Sequence, residues 1–281
     1  MKKFISLSIV FLLFLFSCSG EKKNNRLNYS TSSDTAMEYY NLGWQQIMDE
    51  GRYGQAEQSY RKALQADPSF LIGQSVLARL TTDLNERLEL YKNLEEKKEN
   101  ISGDERQVLD VYIALTKFTN LREQKDPKAG DALQQALTLA EKNLRQIVHK
   151  YPEEVYLKAE YLEVLHSVHG AEASLDTLAR IVSKEQQDNP FILGYRAGMQ
   201  AETGNFSEAL GMAARLRELV GDSKLPKPDA VYADIYFKMD SLRKAKMHAD
   251  RAYRLDPRNL DASRLKTRID TKLQSQKEEK D

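Results

Sequence analysis

The residues whose types and spacing could do metal chemistry are Glu163, His166 and His169. Spacings of three and three place them on one face of a helix, and carboxylate and imidazole groups are common zinc ligands. An ordinary helix end explains the same residues, because histidine interacts favourably with the dipole near a helix C-terminus and Gly170 is a natural stop. No cysteine cluster or second carboxylate can be placed beside them from the sequence. We therefore predict no metal and no cofactor, and keep these three residues as the one metal candidate.

Signatures of catalysis and of nucleic-acid binding are not evident. The sequence contains no GxxxxGK[ST] phosphate loop, no HExxH, no GxSxG and no paired CxxC. Its 42 basic residues are balanced by 42 acidic residues, whereas a nucleic-acid-binding surface needs a net basic face. We therefore expect a non-catalytic protein with no nucleic-acid partner and no small-molecule substrate.

Cys18 is the only cysteine, and its position indicates a different chemistry. Lys2 and Lys3 precede an apolar run of 13 residues, from Phe4 to Phe16. Such a run is too short to span a bilayer comfortably and is typical of a cleaved signal peptide. Because a single cysteine cannot form an intramolecular disulfide, the fold must depend on packing.

The tetrapeptide LFSC at 15–18 resembles the lipobox of bacterial lipoproteins, with phenylalanine where a smaller residue is usual. The resemblance implies that 1–17 is a signal peptide and that Cys18 becomes an acylated, palmitate-type membrane anchor. Ser19 resembles the sorting pattern for the outer membrane, which implies a site in the bacterial envelope facing the periplasm. The polar stretch 18–34 is predicted to be a flexible tether. The alternative is a free thiol in an uncleaved or discarded leader.

The elements that must position any site are helices with a recurring spacing. Three segments carry small or aliphatic residues, with one tyrosine among them, at intervals of four and three, followed five residues later by a proline that ends the helix. These positions are Ala56, Tyr60, Ala63 and Pro68; Ala140, Leu144, Ile147 and Pro152; and Ala245, Ala249, Ala252 and Pro257.

This spacing resembles the second helix of the tetratricopeptide repeat (TPR), whose small residues let two antiparallel helices approach closely. Gly43, Ala233 and Tyr236 match first-helix positions, and Gly51 matches the turn that follows, although one residue more than usual separates the two glycines. The resemblance covers most of 36–257.

The resemblance implies an all-α protein, an α-solenoid of about six TPR-like helix pairs with a C-terminal capping helix. The superhelical domain is predicted over 35–275, and 276–281 is predicted to be a disordered tail. The expected helices are 36–49, 53–66, 69–82, 84–99, 103–120, 127–150, 153–168, 171–187, 190–202, 206–220, 228–239, 242–255 and 259–275.

In TPR proteins the inner wall of the superhelix comes chiefly from the first helix of each pair, so the resemblance implies a peptide-binding groove at matching positions. These are Met37, Tyr40, Trp44, Met48, Tyr156, Phe191, Gly194, Gly198, Asp234, Phe237 and Lys238. Tryptophan and tyrosine are favoured interface anchors, and methionine suits adaptable surfaces. The alternative for Trp44 is packing against the next helix pair. Carboxylate-clamp members of the family use several Lys, Arg and Asn side chains, a set that these positions do not carry.

The two resemblances together imply a membrane-anchored scaffold or adaptor that holds an envelope protein or peptide in its concave groove. An accessory role in the assembly of outer-membrane barrels is an alternative. Another is a lipoprotein that captures a glycan or other ligand for nutrient uptake. Glycan capture would need long loops with aromatic platforms, and the available loop, 121–128, contains no aromatic residue.

Overall fold

The computed structural model describes residues 25–222 and 224–278. The predicted signal peptide and Cys18 lie outside the described residues. Within the described ranges the chain forms twelve α-helices and no strand, which confirms the all-α class. The helices are α1 Asp34–Trp44, α2 Tyr53–Ala66, α3 Leu71–Leu80, α4 Leu84–Lys97, α5 Gly103–Glu123, α6 Ala129–Lys150, α7 Val155–Ile181, α8 Pro190–Glu202, α9 Phe206–Val220, α10 Lys227–Lys238, α11 Leu242–Leu255 and α12 Leu260–Glu278. No helix in these ranges has the length and apolar character needed to cross a bilayer.

Most helices lie where the sequence places them, and α2, α8, α9 and α11 have the predicted bounds. The two predicted helices 153–168 and 171–187 correspond to the two arms of α7, which are separated by a break in the helical backbone at Gly170, and the second arm ends at Ile181 instead of at residue 187. Gly170 has φ 82° and ψ −179°, a conformation that glycine adopts at little cost. Helix α12 continues to Glu278, so the first residues of the predicted tail are helical.

The first helix contains an extra residue, and the structure accommodates it in a π-helical segment, Gln45–Glu50, directly after α1. The segment ends at Gly51, whose N–H donates to the carbonyl of Gln46 and whose φ is 75°. A π-type turn takes up one residue more than an α-helical turn. It therefore explains why Gly43 and Gly51 are one residue further apart than the repeat pattern expects.

The residues with the recurring spacing form the contacts between neighbouring helices. Ala56, Ala140 and Ala245 have no exposed surface, which lets adjacent helices approach closely. Consecutive helices pack together, most extensively α1 with α2, α5 with α6, α8 with α9 and α10 with α11. Alternate helices also touch, namely α3 with α5, α8 with α10 and α10 with α12.

The two ends of the helical array meet in what we call the closing contact, between residues 51–57 and 256–261. The side-chain amide of Asn259 donates to the carbonyl of Gly51 at 2.9 Å. The N–H of Gly54 donates to the Asp256 carboxylate at 3.2 Å. Two further side-chain pairs belong to it: Tyr53 donates to Asp261, and Arg258 pairs with Glu57. The closing contact joins segments about 200 residues apart and encloses the space between the first and last helices.

Part of the predicted tether is packed against the helices, which corrects that prediction for 25–33. The side chain of Leu27 is buried, and its N–H donates to Glu154 at 2.9 Å. Ser30 bonds the Glu105 carboxylate, and the ring of Tyr29 lies edge-on to that of Tyr40 at 5.3 Å. The stretch is polar in composition, but these two apolar side chains and the carboxylates beneath them fix its path.

Candidate functional site

A cavity of about 610 Å³ lies between the first helix pair and helices from the middle and the end of the chain, and it is called here the central cavity. Side chains from α1, α2, α3, α4, α5, α7, α8, α10 and α12 line it, together with the π-helical segment. Its volume falls in the range of ligand-binding pockets, roughly 300–1,000 Å³. The closing contact forms one side, because Tyr53 and Asp261 both belong to the lining.

Aromatic rings form the deep wall of the central cavity. Trp44 is 6% exposed and stacks on Tyr156 with ring centroids 6.0 Å apart and an interplanar angle of 14°. Phe191 is similarly buried and stacks on Tyr195 at 5.4 Å. Phe118 is half-buried on another side of the same cavity. Such rings offer a large contact area with few rotamers to fix.

The aromatic wall is fixed by Asp49 in the π-helical segment. The Asp49 carboxylate accepts the Tyr156 hydroxyl at 2.7 Å, the Asn189 amide at 3.1 Å and the Phe191 N–H at 3.2 Å. Burial raises the pKa of Asp49, and these hydrogen bonds oppose the rise. The segment that absorbs the extra residue therefore also connects the first helix to α7 and α8.

Two arginines of the central cavity are already paired. Arg79 pairs with Glu160 and lies over the Tyr112 ring at 4.6 Å. Arg87 is 3% exposed, donates to the carbonyl of Thr81 at 3.0 Å and pairs with Glu123. Their charges are satisfied by the protein itself.

Three other cations of the central cavity, Arg122, Lys227 and Arg264, have no carboxylate at ion-pair distance among the described residues. The ammonium of Lys227 lies 4.3 Å from the centroid of the Phe191 ring, a cation–π contact. Burial lowers the pKa of Lys227, and nearby carboxylates, with Asp49 first among them, oppose that change.

Glu163 is the one carboxyl of the central cavity that makes neither a hydrogen bond nor an ion pair through its side chain within the described residues. Burial, together with the neighbouring carboxylates Asp261 and Glu160, raises the pKa of Glu163 to about 8 against the charges of Arg79 and Lys227. At neutral pH most of this carboxyl is therefore protonated and can donate a hydrogen bond.

A smaller pocket of about 190 Å³ adjoins the central cavity and shares Ile47, Tyr53, Lys227 and Asp261 with it. Gly194 and Gly198 line it, but α10 takes up the room they leave. A Cβ at Gly194 would lie 2.9 Å from Val231 Cγ2. The ammonium of Lys238 donates to the Gly198 carbonyl at 2.9 Å and to Asp234 at 2.6 Å, so these two charges are paired.

The structure divides the predicted groove residues between the cavities and the core. Tyr40 is 2% exposed and packs among Tyr29, Tyr60 and Phe70, while Met37 is half-buried against the same core. Phe237 lies under Arg268 and Lys272 instead. The residues that line one of the two cavities are Trp44, Met48, Phe191, Gly194, Gly198, Asp234 and Lys238, and Tyr156 stacks behind Trp44.

The metal candidate residues point to three different places. Glu163 faces the central cavity, while His166 contacts Tyr195 at 2.8 Å and Glu202 at 3.1 Å. His169 contacts Glu141 on α6 at 2.9 Å. Within the described residues no group of three or more His, Cys, Asp or Glu side chains is placed to hold a metal ion.

The charged residues of the central cavity were not predicted from the sequence, apart from Glu163. Two local signals were available. Glu163 interrupts the apolar run YLEVL, and Lys227 lies between two prolines at the start of a helix. Neither signal predicts that the two side chains line the same cavity, because α7 and α10 are far apart in the chain.

No protein-family model matches the chain, and a search of curated proteins finds no significant match.

Proposed function

We propose that the protein is a lipid-anchored, non-catalytic adaptor of a bacterial envelope, built from TPR-like helix pairs, that holds a peptide segment of a partner protein in the central cavity. The observation that carries the proposal is the central cavity itself. It combines an aromatic wall around Trp44 and Phe191 with charged side chains that have no ion-pair partner among the described residues. Aromatic anchors surrounded by polar groups are the usual composition of a binding hot spot.

The repeat assignment rests on the recurring spacing and on its burial. In all three segments that carry the spacing, the small residues contact a neighbouring helix and have at most 1% exposed surface. TPR-like arrays use such contacts to stack helix pairs and to present an inner wall to a partner. An inner wall closed by the contact between 51–57 and 256–261 suits a short segment better than a long helix.

The anchor assignment rests on the LFSC sequence, and the structure limits how far the folded domain can lie from Cys18. Asn25 is the first described residue, and seven Cα–Cα steps separate it from Cys18. Those steps span at most about 25 Å when fully extended. Since 25–33 is packed on the helices, an acylated Cys18 would hold the domain close to the membrane surface.

The experiment is photocrosslinking in cells with p-benzoylphenylalanine at Phe118, which lines the central cavity and is half-buried. Tyr253 on α11 is the matched control, because it is an aromatic residue with 36% exposure outside both cavities. We expect a discrete envelope protein attached at position 118 and not at position 253. Equal adducts at both positions, or none at 118, would contradict the adaptor proposal.

The anchor is tested separately by Cys18→Ser. We expect the variant to leave the membrane fraction or to accumulate as an unprocessed precursor. Processed protein that stays bound to the membrane would contradict lipid anchoring without bearing on the central cavity.

Capture of a small molecule is the second candidate, because about 610 Å³ is the size of a small-molecule pocket. This candidate predicts a bound compound in the protein purified from its own cells and no protein adduct at position 118. Mass spectrometry of the denatured, purified protein detects such a compound.

A further inference from the structure

The central cavity has more positive than negative charge to offer a ligand. Arg79 and Arg87 are neutralised by Glu160 and Glu123. That leaves three cations, Arg122, Lys227 and Arg264, and two carboxyl groups, Glu163 and Asp261. Asp261 accepts the Tyr53 hydroxyl, and Glu163 is largely protonated at neutral pH. Once these pairs are set aside, the central cavity has more unpaired positive charge than unpaired negative charge.

Lys227 is the cation that gains most from an anionic ligand. Its ammonium is half-buried against Phe191 with no hydrogen bond or ion pair to a described residue. A buried charge without a partner is costly, and an incoming carboxylate removes that cost by forming a charge-assisted hydrogen bond. Arg264 is exposed at the edge of the same cavity and can approach a ligand at small entropic cost.

Glu163 faces the same space and would respond to the ligand. A protonated carboxyl donates a hydrogen bond to a carboxylate, whereas an ionised one repels it. The charged and titratable groups that face Glu163 come from every surrounding helix: Tyr53 on α2, Arg79 on α3, Glu160 on α7, Tyr195 on α8, Lys227 on α10, and Asp261 and Arg264 on α12.

We infer that the central cavity recognises a carboxylate-bearing peptide segment, held by Lys227 and Arg264, with the Glu163 carboxyl as a hydrogen-bond donor to it. This inference rests on the proposed function and adds the chemistry of the ligand to it. Lys227 and Arg264 are not among the first-helix positions at which the family resemblance places a groove.

The test uses the protein without its signal peptide and the fluorescence of Trp44, the only tryptophan, which lines the central cavity. Three pools of hexapeptides, blocked at both ends and randomised at four positions, carry Asp, Asn or Lys at the two central positions. A fourth pool repeats the Asn pool with a free C-terminal carboxylate. We expect the Asp pool to bind at least about tenfold more tightly than the blocked Asn pool, and the Lys pool to bind most weakly.

The variants assign the effect to residues. Lys227→Met keeps the aliphatic stem against Phe191, and we expect it to reduce the preference for Asp over Asn to less than about threefold. Arg264→Met should have a smaller effect in the same direction. Lys62→Met, which removes an exposed lysine outside both cavities, should leave the preference unchanged.

The protonation of Glu163 is tested by the pH dependence of binding and by calorimetry in different buffers. Binding of the Asp pool to the wild type should weaken by up to about tenfold as pH rises through about 8, because Glu163 ionises. Glu163→Gln should abolish this dependence, and its calorimetric binding heat should no longer vary with the ionisation enthalpy of the buffer. Lys227→Met is measured in parallel, since Lys227 also loses charge as pH rises.

The outcomes separate the two proposals. Equal binding of the Asp and blocked Asn pools would overturn the inference and leave the peptide-binding function standing. No response of Trp44 to any pool would overturn the peptide-binding function, and the inference with it. If the free-ended Asn pool binds as well as the Asp pool, carboxylate recognition is confirmed and its source is the chain end. A pH dependence in Glu163→Gln that equals that of the wild type would overturn the role of Glu163.

Discussion

Helices α2 and α11 carry the same spacing of residues, yet only α2 contributes to the central cavity. The outer alanines of the spacing have no exposed surface in either helix. The middle position differs, because Tyr60 stands in α2 where Ala249 stands in α11. Tyr60 lines the central cavity and packs under Gly43, whereas Ala249 packs in a small cluster with Ala233.

The difference shows that two features of the sequence have separate roles. The alanines set the distance between the two helices of a pair, and this role is the same at both ends of the molecule. The middle residue, Tyr60 or Ala249, determines whether the helix pair contributes a large side chain to the space between that pair and the rest of the array. A large ring at this position requires glycine opposite it, and it extends the contact towards the aromatic wall.

The largest effect is expected where the shared spacing is broken. Ala245→Glu places a charge in a contact with no exposed surface, so the free energy of unfolding should fall by about 3–5 kcal/mol. The exposed neighbour Arg243 supplies the control, since Arg243→Glu introduces the same side chain on the outer face of α11. Chemical denaturation measures both variants. If Ala245→Glu unfolds like the control, α11 does not pack through its alanines.

Substitution of Gly43 tests the feature that differs between the two helix pairs, namely the Tyr60 ring packed against this glycine. An added Cβ would lie 2.7 Å from ring atoms of Tyr60, so Gly43→Ala should cost about 2–3 kcal/mol of stability through overpacking. In a Tyr60→Leu background the clash disappears, and the same substitution should stabilise by about 0.5–1 kcal/mol, because alanine has the higher helix propensity. A cost that persists in this background would mean that Tyr60 is not the obstacle. Ala233→Gly, at the matching position of the last pair, should cost about 1 kcal/mol.

The local features of the fold could be predicted from the sequence because they depend on short-range spacing. Small residues at intervals of four and three, with a proline after them, predicted α2 and α11 with their bounds. The extra residue between Gly43 and Gly51 was visible, but its consequence was not. The π-type segment takes up that residue and places Asp49 where it accepts hydrogen bonds from Tyr156 and Phe191. Tyr40, upstream of the segment, lies in the core, whereas Met48, within it, lines the cavity.

The site itself depended on contacts that no local pattern contains. Lys227, Glu163 and Asp261 come together only because the ends of the array meet at the closing contact. The sum of many small rotations between successive helix pairs determines where the two ends meet. A single sequence therefore does not show which charged residues line a common cavity, because that depends on the curvature of the array.

The Asp-Pro pairs that end α2 and α11 give a smaller, more local contrast. Asp67 accepts the Ser69 N–H at 2.9 Å and bonds Thr31 in the packed N-terminal segment. Asp256 accepts the Arg258 N–H at 2.9 Å and reaches across the closing contact to Gly54.

Replacing either aspartate by alanine should cost about 1–2 kcal/mol of stability. Hydrogen exchange should distinguish the two variants, because each loses a different distant partner. We expect faster exchange at 25–33 for Asp67→Ala and at 51–57 for Asp256→Ala. Identical exchange patterns would mean that the closing contact does not depend on Asp256.

The smallest effect concerns Glu163, which lies between Tyr53 at the start of α2 and Asp261 in the first turn of α12. Its pKa is raised from 4.5 to about 8 in the folded protein, so the folded state binds this proton more tightly than the unfolded chain does. Stability must therefore fall as pH rises from about 4.5 to about 8. One pH unit of pKa displacement corresponds to about 1.4 kcal/mol, and water in the cavity reduces the effect.

Glu163→Gln should accordingly be more stable than the wild type by about 1–2 kcal/mol above pH 8, and the difference should vanish near pH 4. Denaturant unfolding at a series of pH values measures it, with Glu172→Gln, an exposed position on the same helix, as the control. Parallel curves for wild type and Glu163→Gln would mean that the carboxyl is solvated in the folded state. The closing contact would then leave the central cavity open to water, and the contrast between α2 and α11 would lie in packing alone.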